Sequence, residues 1–288
     1  MNASINSVAV IGAGTMGAGI ALVSAQSGLK VTLVDVKTDQ LERAKNYHRK
    51  TLDRSVEKQR ITRSEADAVI ARVTFSTSMG DSSSPECAIE AATEDMDLKK
   101  KIFGQMRQVF PAPAVLATNT SSISITEIAG GLGTDAGRVI GMHFFNPVPV
   151  VALVEVIRGL ATNEDTLART ISLAKALGKT PVQVNDRAGF VSNRVLMPMI
   201  NEAFFAWMEG VSGPNEIDQI MKLGCNFPMG PLRLADFIGL DVCHDIMMVL
   251  YRELGDEKFF PCPLLRQLVK AGRLGDKCGH GVYEFPAK

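Results

Sequence analysis

Two side chains with acid–base chemistry stand in neighbouring apolar segments of the sequence. His143 ends the segment Val139–His143, and Glu155 lies inside the segment Val150–Ile157. A carboxylate that hydrogen-bonds an imidazole fixes its tautomer and raises its basicity. A buried carboxylate without a partner is costly, so we expect Glu155 to be paired or exposed. His143 is therefore a candidate acid–base group, and a hydrogen-bonded core histidine is the alternative.

A glycine-rich turn near the start of the chain is the second candidate site. The apolar run Val8–Ile11 leads directly into a G-x-G-x-x-G motif, and a helical pattern follows. Gly12 permits the tight turn, Gly14 lets the backbone approach a pyrophosphate, and Gly17 lets helix and strand pack closely. The N-terminus of the helix favours phosphate groups. The predicted cofactor contacts of this turn are Gly12, Gly14, Thr15, Met16 and Gly17.

A carboxylate closes the next apolar run, Val31–Asp35. Strand, glycine turn, helix, second strand and terminal acid together form the unit that binds a dinucleotide. Asp35 is expected to accept hydrogen bonds from the adenosine ribose hydroxyls and to repel a 2′-phosphate. The motif therefore favours NAD over NADP, although Lys37, two residues later, weakens that preference.

The elements that must position these residues divide the chain in two. Strand and helix patterns alternate up to about residue 185, and only helical patterns follow. We therefore predict an α/β fold: a Rossmann-type doubly wound sheet over residues 1–185, with a helical hairpin inserted at about 40–70. Residues 186–288 are predicted to form an all-α domain. Its helices carry apolar residues around much of their surface, which predicts either a core or a dimer interface.

Polar residues follow one predicted strand directly. Asn119–Ser122 comes after Val115–Thr118, and the carboxyl end of a parallel strand faces the ligand crevice. Ser121 and Ser122 are therefore candidate ligand contacts. They are also candidate N-caps of the helix predicted from Ile123.

Composition excludes several classes of partner. Lys plus Arg number 31 and Asp plus Glu number 31, so no basic face for nucleic acid is implied. The five cysteines are scattered, which indicates neither a metal site nor a disulfide framework and favours a reducing compartment. We find no span for a membrane, and no Lys or Arg precedes Lys30 as a secretory leader would require. A basic run, residues 49–63, is either a solvated helical surface or a platform for an anionic substrate group.

The longer motifs of the chain resemble one family closely. They are VIGAGTMGAGIA, IEAATEDMDLKKKIF, TNTSSISIT, GMHFFNPVPV with LVEVI, AGFVSNRVL, PMGPLRLADFIGLD and GDKCGHGVYEF, in order from about residue 8 to 285. This pattern resembles the short-chain L-3-hydroxyacyl-CoA dehydrogenases, including bacterial 3-hydroxybutyryl-CoA dehydrogenases. The resemblance implies hydride transfer between NAD and C3 of a short-chain (S)-3-hydroxyacyl-CoA.

The resemblance also implies roles for single residues. His143 is similar to the catalytic base of the family, and Glu155 to the carboxylate that orients it. Ser121 and Asn193 resemble residues that hydrogen-bond the substrate oxygens, and Ser121 also belongs to the expected cofactor contacts. Further cofactor contacts implied in this way are Glu94, Lys99, Asn146 and Lys277. Thr51 and Lys58 resemble residues that hold coenzyme A.

The implied protein is a cytoplasmic enzyme that forms a homodimer through its C-terminal helices. Fatty-acid β-oxidation is one pathway in which it could act, and aromatic-acid degradation, butyrate formation and polymer metabolism stay open. Two other functions stay open at this point. One is a related NAD-dependent sugar-acid dehydrogenase of the gulonate type. The other is a structural protein that binds NAD without catalysis.

Overall fold

The computed structural model describes residues 5–82 and 84–285. The chain divides into two compact units, Met1–Asp186 and Arg187–Lys288. Each unit has its own core of buried apolar side chains.

An eight-stranded sheet with the order β3-β2-β1-β4-β5-β6-β7-β8 forms the centre of the first unit. Its strands are β1 (Ser7–Ile11), β2 (Lys30–Val34), β3 (Val73–Ser76), β4 (Cys87–Glu90), β5 (Val115–Thr118), β6 (Val139–Phe144), β7 (Leu153–Arg158) and β8 (Thr180–Asn185). The inner strands are buried and largely apolar because helices cover both faces of a doubly wound sheet. The chain order reverses between β1 and β4, and ligands bind at such a switch point.

Strand direction reverses once, between β6 and β7. The first six strands pair in parallel, β7 pairs antiparallel with β6, and β8 runs parallel to β7. Residues 145–152 connect β6 to β7, a span too short for the crossover that a parallel neighbour requires. The reversal places His143 directly opposite Glu155 in the register of the two strands.

Six helices accompany the sheet in the described part of the first unit. They are α1 (Thr15–Gln26), α2 (Thr38–Glu57), α3 (Arg63–Ala71), α4 (Met96–Val109), α5 (Ile125–Ala129) and α6 (Glu164–Ala176). The inserted hairpin expected at about 40–70 is α2 and α3. Helix α2 buries Leu41, Ala44, His48 and Leu52, whose spacing of three or four residues forms one apolar face. A capping box of Thr62 and Glu65 begins α3.

The start of α5 differs from the sequence prediction. The helix begins at Ile125 rather than Ile123, and its N-cap is Ser124, whose hydroxyl accepts a hydrogen bond from the Glu127 N–H. The alternative interpretation of Ser121 and Ser122 as N-caps is therefore wrong. Ser121 and Ser122 lie before the helix, and their hydroxyls contact Glu94 instead.

The second unit is helical, as expected. Its helices are α7 (Ser192–Met208), α8 (Pro214–Gly224), α9 (Pro231–Ile238), α10 (Leu240–Leu254) and α11 (Pro263–Lys270). Phe204, Met247 and Leu250 are fully buried in its core. These helices therefore use their most apolar positions for packing within the unit. The fold class predicted from the sequence, a Rossmann-type sheet followed by an all-α unit, is confirmed.

None of the helices in the described residues is long and apolar enough to cross a membrane.

Candidate active site

The glycine turn between β1 and α1 is built around positions where a side chain does not fit. Gly12 has φ +106°, and a Cβ there would lie 2.7 Å from the Ala91 carbonyl oxygen. A Cβ on Gly17 would lie 1.8 Å from the Gly12 carbonyl oxygen. A Cβ on Gly14 would meet nothing within 4 Å. The turn is thus tightly packed on its protein side and open at Gly14, which fits the close approach of a pyrophosphate.

The N-terminus of α1 adds to this fit. Gly14 is the N-cap and supplies no side-chain hydrogen bond to the first turn, and the first N–H groups of a helix are the ones that can bind a phosphate. Thr15, the first residue of the helix, is exposed, and Met16 packs partly against the core. Thr15 is thus accessible beside the turn, whereas Met16 also supports the helix.

The carboxylate of Asp35, the predicted ribose contact, is held by backbone N–H groups, one of which belongs to the glycine turn. One carboxylate oxygen accepts a hydrogen bond from the Ala13 N–H at 2.8 Å, and the other accepts from the Lys37 N–H at 2.9 Å. Each carboxylate oxygen has a second lone pair. Asp35 therefore holds the glycine turn in place and keeps acceptor capacity for ribose hydroxyls.

Glu94 and the turn after β5 form the second part of the site. The Oε1 atom of Glu94 accepts hydrogen bonds from the Thr120 hydroxyl at 2.5 Å, the Ser121 N–H at 2.9 Å and the Ser122 N–H at 3.2 Å. The Ser121 and Ser122 hydroxyls lie 3.3 and 3.1 Å from the same oxygen. Burial of Glu94 opposes its ionisation, but Lys99 and these hydrogen bonds outweigh burial and hold its pKa below the ordinary value.

Lys99, predicted as a cofactor contact, is a buried residue. Its side chain is 1% exposed, and its ammonium lies 2.7 Å from Glu90 Oε1 and 3.4 Å from Glu94 Oε2. Sequence reasoning missed Glu90, which is 0% exposed. The available signal was a carboxylate ending the apolar strand Cys87–Glu90, nine residues before a lysine.

The third part of the site is the pair that sequence analysis considered first. His143 Nδ1 donates a hydrogen bond to Glu155 Oε2 at 2.8 Å, with the two side chains 9% and 4% exposed. The pairing follows from the antiparallel register, because residues directly opposite each other on one sheet face have Cβ atoms about 5 Å apart. The Phe145 ring centroid lies 4.5 Å from that of His143. The imidazole is therefore fixed in one tautomer and orientation.

The neighbourhood of His143 contains a further residue that sequence reasoning did not assign. The Asn119 side-chain carbonyl accepts a hydrogen bond from the Phe144 N–H at 2.9 Å. This bond ties the start of the turn that carries Ser121 to the end of β6. Asn146, a predicted cofactor contact, is exposed just beyond that end.

Two predicted site residues belong to the second unit. Asn193 lies in the first turn of α7 and is 8% exposed. Lys277 is half exposed, and its ammonium lies 2.5 Å from both carboxylate oxygens of Asp241. The charge of Lys277 is therefore balanced within its own unit.

Of the predicted coenzyme A contacts, Thr51 lies on α2, and Lys58 is the C-cap directly after its last residue. Thr51 and Lys58 are seven residues apart, two helical turns, so they share one face. Arg63, at the end of the basic run, instead pairs with Asp53 at 2.6 Å. The run of bases is thus divided between different surfaces of the hairpin.

In the described ranges, His, Cys, Asp and Glu side chains form no group of three or more that could hold a metal ion. A dinucleotide turn, an anchored acid after β2 and a buried His–Glu pair instead define the class: an oxidoreductase that uses NAD.

Comparison with known proteins gives the family. The model for the NAD binding domain of 3-hydroxyacyl-CoA dehydrogenase matches residues 7–187, and the model for the C-terminal domain of the same enzymes matches residues 189–285. A probable 3-hydroxybutyryl-CoA dehydrogenase of Bacillus subtilis is 50% identical over 284 residues, covering 99% of each chain. An (S)-3-hydroxybutyryl-CoA dehydrogenase from Ralstonia eutropha has 48% sequence identity to this chain. Its crystal structure matches with a TM-score of 0.95, covering 99% of this chain and 100% of that one.

The chain belongs to the 3-hydroxyacyl-CoA dehydrogenase family. The family and the NAD cofactor predicted from the sequence are therefore confirmed.

Asp35 is predicted to set the preference for NADH over NADPH. Asp35→Ser should weaken NADH binding about tenfold, because a charge-assisted hydrogen bond contributes about 1.5–3 kcal/mol. It should weaken NADPH binding less, because the repulsion of the 2′-phosphate is also lost. Fluorescence titration with both nucleotides measures the two dissociation constants. Asp39→Ser, which removes an exposed acid paired with Arg43, is the control. An unchanged ratio of the two constants in Asp35→Ser would contradict this role.

Proposed function

We propose that the chain catalyses reversible hydride transfer between NAD and C3 of a short-chain (S)-3-hydroxyacyl-CoA, of the 3-hydroxybutyryl-CoA and acetoacetyl-CoA type. The observation that carries the chemistry is the buried hydrogen bond between His143 and Glu155 at 2.8 Å. The names of the relatives support the substrate class: the similar proteins of Bacillus subtilis and Ralstonia eutropha are both called 3-hydroxybutyryl-CoA dehydrogenases.

His143 moves the proton in this proposal. NAD supplies the hydride chemistry at its nicotinamide ring when bound. Because Nδ1 of His143 is held by Glu155, the proton is exchanged at Nε2 with the oxygen on C3. An imidazole both accepts and donates a proton, which suits both directions of the reaction. In the oxidation direction His143 becomes an imidazolium when it takes the proton of the 3-hydroxyl group. In the reduction direction it is an imidazolium before it donates that proton to the oxygen on C3. The Glu155 carboxylate stabilises this cation in both cases.

The other residues position the reactants. Ser121 and Asn193 hydrogen-bond substrate oxygens, and Ser121 is held in place by its N–H bond to Glu94. Glu94, Lys99, Asn146 and Lys277 belong to the nicotinamide side of the cofactor site, in line with the family resemblance. We assign the second unit, to which Asn193 belongs, to substrate binding and dimerisation.

Turnover with acetoacetyl-CoA tests the proposed function. Purified protein should reduce acetoacetyl-CoA rapidly with NADH and more slowly with NADPH. Rates measured for a series of 3-ketoacyl-CoA chain lengths then rank the substrates. Gulonate with NAD is included as the competing sugar-acid substrate. Tight NADH binding without turnover of any acyl-CoA would contradict the proposal and favour the sugar-acid or the non-catalytic function.

The His143–Glu155 pair should control kcat. His143→Ala should lower kcat at least ~100-fold, the low end for general acid–base catalysis. Glu155→Gln keeps the shape but removes the charge, and should lower kcat about tenfold with little change in NADH affinity. Steady-state kinetics and NADH titration give both quantities. His244→Ala removes another carboxylate-paired histidine, 2.9 Å from Asp245, and should leave kcat unchanged. Near-normal turnover of His143→Ala would refute the assignment.

We further propose that one face of α2 binds the phosphate groups of coenzyme A. Tyr47, Thr51, Arg54 and Lys58 follow one another at spacings of four, three and four residues, and so form a stripe along the helix. Arg54 and Lys58 are exposed, and Tyr47 is 37% exposed. Cations recognise phosphates, and an aromatic ring offers a surface on which an adenine can stack.

Charge reversal on this stripe should affect only substrates that carry the nucleotide. Arg54→Glu should raise KM for acetoacetyl-CoA about tenfold, the loss of one charge-assisted phosphate contact. KM for the N-acetylcysteamine thioester of acetoacetate, which lacks the nucleotide, should stay unchanged. Arg49→Glu makes the same charge change on the opposite side of α2 and serves as the control. If Arg54→Glu raised KM equally for acetoacetyl-CoA and for the N-acetylcysteamine thioester, the stripe would be excluded as a coenzyme A site.

A homodimer through the C-terminal helices is the assembly we propose. Several apolar side chains of the second unit remain exposed, among them Ile220 and Leu223 on α8, at 62% and 77%. They stand three residues apart and so share one face. Exposed apolar patches commonly mark protein–protein contacts.

Sedimentation equilibrium should find a dimer for the wild-type protein and a monomer for Ile220→Asp/Leu223→Asp, because burying two carboxylates in an apolar interface is costly. Leu160→Asp alters an 89%-exposed leucine of the first unit and should leave the dimer intact. A monomeric wild-type protein would overturn the proposal.

We place the enzyme in the cytoplasm and in the β-oxidation of fatty acids. All five cysteines are free, which suits a reducing compartment. Cell fractionation followed by immunoblotting tests the location, and recovery of the protein in an oxidising compartment would contradict it.

A further inference from the structure

The connection between β6 and β7, residues 145–152, begins two residues after His143. Its first residue is Phe145, whose ring centroid lies 4.5 Å from that of the His143 imidazole. Its second is Asn146, which is exposed and is a proposed cofactor contact. The position of this β6–β7 connection therefore decides which groups face the acid–base pair and the cofactor.

The backbone of the β6–β7 connection holds only part of it in place. The Pro147 carbonyl oxygen accepts hydrogen bonds from the N–H groups of Val150 and Val151, at 2.9 and 3.0 Å. These bonds use neither the Val148 nor the Val151 carbonyl oxygen. A carbonyl oxygen that is turned away from water needs a donor, because leaving it unpaired is costly.

A buried lysine supplies the missing donors. Lys179 stands between α6 and β8, and it is 8% exposed. Its ammonium donates a hydrogen bond to the Val148 carbonyl oxygen at 2.5 Å and another to the Val151 carbonyl oxygen at 2.8 Å. A side chain from the far end of α6 thus joins two points of the β6–β7 connection.

The partners of this ammonium are uncharged. Both are carbonyl oxygens rather than carboxylates, and burial lowers the pKa of Lys179 from its ordinary value. Removing an ammonium from water is costly, and two carbonyl oxygens compensate for only part of that cost. Stability alone is therefore a weak reason for a lysine here. The position that its two bonds give to the connection is a stronger one.

The side chain of Val148 rests on the cofactor helix. Val148 is 2% exposed, and a Cβ added to Gly19 of α1 would lie 2.9 Å from the Val148 Cβ. Such a close approach is possible because residue 19 has no side chain. Gly19 comes two residues after Gly17, the last glycine of the dinucleotide motif. Val148 is thus fixed twice, by its side chain on α1 and by its carbonyl oxygen on Lys179.

We propose that Lys179 is a positioning residue that holds the β6–β7 connection against α1. It thereby sets the Phe145 ring beside the imidazole of His143, and Asn146 beside the cofactor. The proposal rests on the proposed function in so far as His143 and Asn146 act there. Lys179 acts through the backbone of the connection that it binds.

Lys179→Met removes the ammonium and nearly keeps the size of the side chain. The dissociation constant of NADH should rise about fivefold, the loss of about one hydrogen bond at Asn146. The NMR signal of the His143 ring should shift, because the magnetic shielding by the Phe145 ring depends on the distance between the two rings. The signals of the other histidines should stay in place: His48, His244 and His280. His143→Gln identifies the signal by its disappearance.

Two further variants of lysines complete this measurement. Lys175→Met removes an exposed charge near the end of α6 and is the matched control, so it should leave the NADH affinity and all histidine signals unchanged. Lys179→Gln is one atom shorter than the lysine and cannot bind both carbonyl oxygens. It should cause the same two changes as Lys179→Met, and it replaces that variant if Lys179→Met does not fold.

Gly19→Ala disturbs the β6–β7 connection from its other side. The added methyl group would meet the Val148 Cβ, so Val148 has to move. This variant should shift the same His143 signal and weaken NADH binding. Gly104→Ala adds the same methyl group to α4, where nothing lies within 4 Å of it, and should change neither quantity.

An unchanged His143 signal in the Lys179 variants would overturn the proposal. Equal shifts of all four histidine signals would overturn it too, because they would show a general loosening of the fold. Wild-type values in Gly19→Ala would show that the connection is not held against α1, which contradicts the proposal as well.

NADH binding and the histidine signals require no acyl-CoA. If the wild-type protein fails to reduce acetoacetyl-CoA, the proposed function fails while these measurements still decide the role of Lys179. If Asn146→Ala leaves the NADH affinity unchanged, the assignment of Asn146 to the cofactor fails, and the His143 signal decides the role of Lys179 by itself.

Discussion

The meeting of β1 and β4 is the constraint on which the site depends. A sheet that reverses its strand order leaves a crevice at the carboxyl ends of its two central strands. In this chain a buried ion pair of Glu90 and Lys99 lies at the carboxyl end of one of these strands, β4. The glycine turn packs against the residues that follow Glu90, and the Ser121 turn is bonded to its carbonyl oxygen. Small changes at this residue therefore reach both turns.

The antiparallel strand β7 adds the second essential feature. Because β7 returns beside β6, Glu155 stands opposite His143, and a hydrogen bond of 2.8 Å follows from sheet geometry alone. A parallel strand at this place would be reached only after a helix and would bring a different residue to the position. The reversal of direction thus converts a histidine at a strand end into an oriented acid–base group.

The inserted hairpin and the second unit show how similar sequence patterns serve different purposes. The buried face of α2 holds the hairpin on the first unit, while the bases of the hairpin separate into an exposed stripe and paired residues such as Arg63. In the second unit Phe204 and Met247 are core residues, whereas Leu223 remains exposed. Hydrophobicity and charge of a segment do not specify these differences, because the packing partners come from elsewhere in the chain.

The sequence by itself determined the dinucleotide unit, the change from alternating elements to helices, and the family. These features are encoded locally: strand, Gly12–Gly17 and the following helix are contiguous, and the motif order is read directly. The tertiary structure decided which polar groups meet. It joined Glu90 to Lys99 and Thr118, gave the N-cap of α5 to Ser124 rather than Ser121, and placed Lys277 on Asp241. Apart from the local N-cap, these contacts depend on strand order, register and helix packing, which bring residues 9 to 36 positions apart within hydrogen-bond distance.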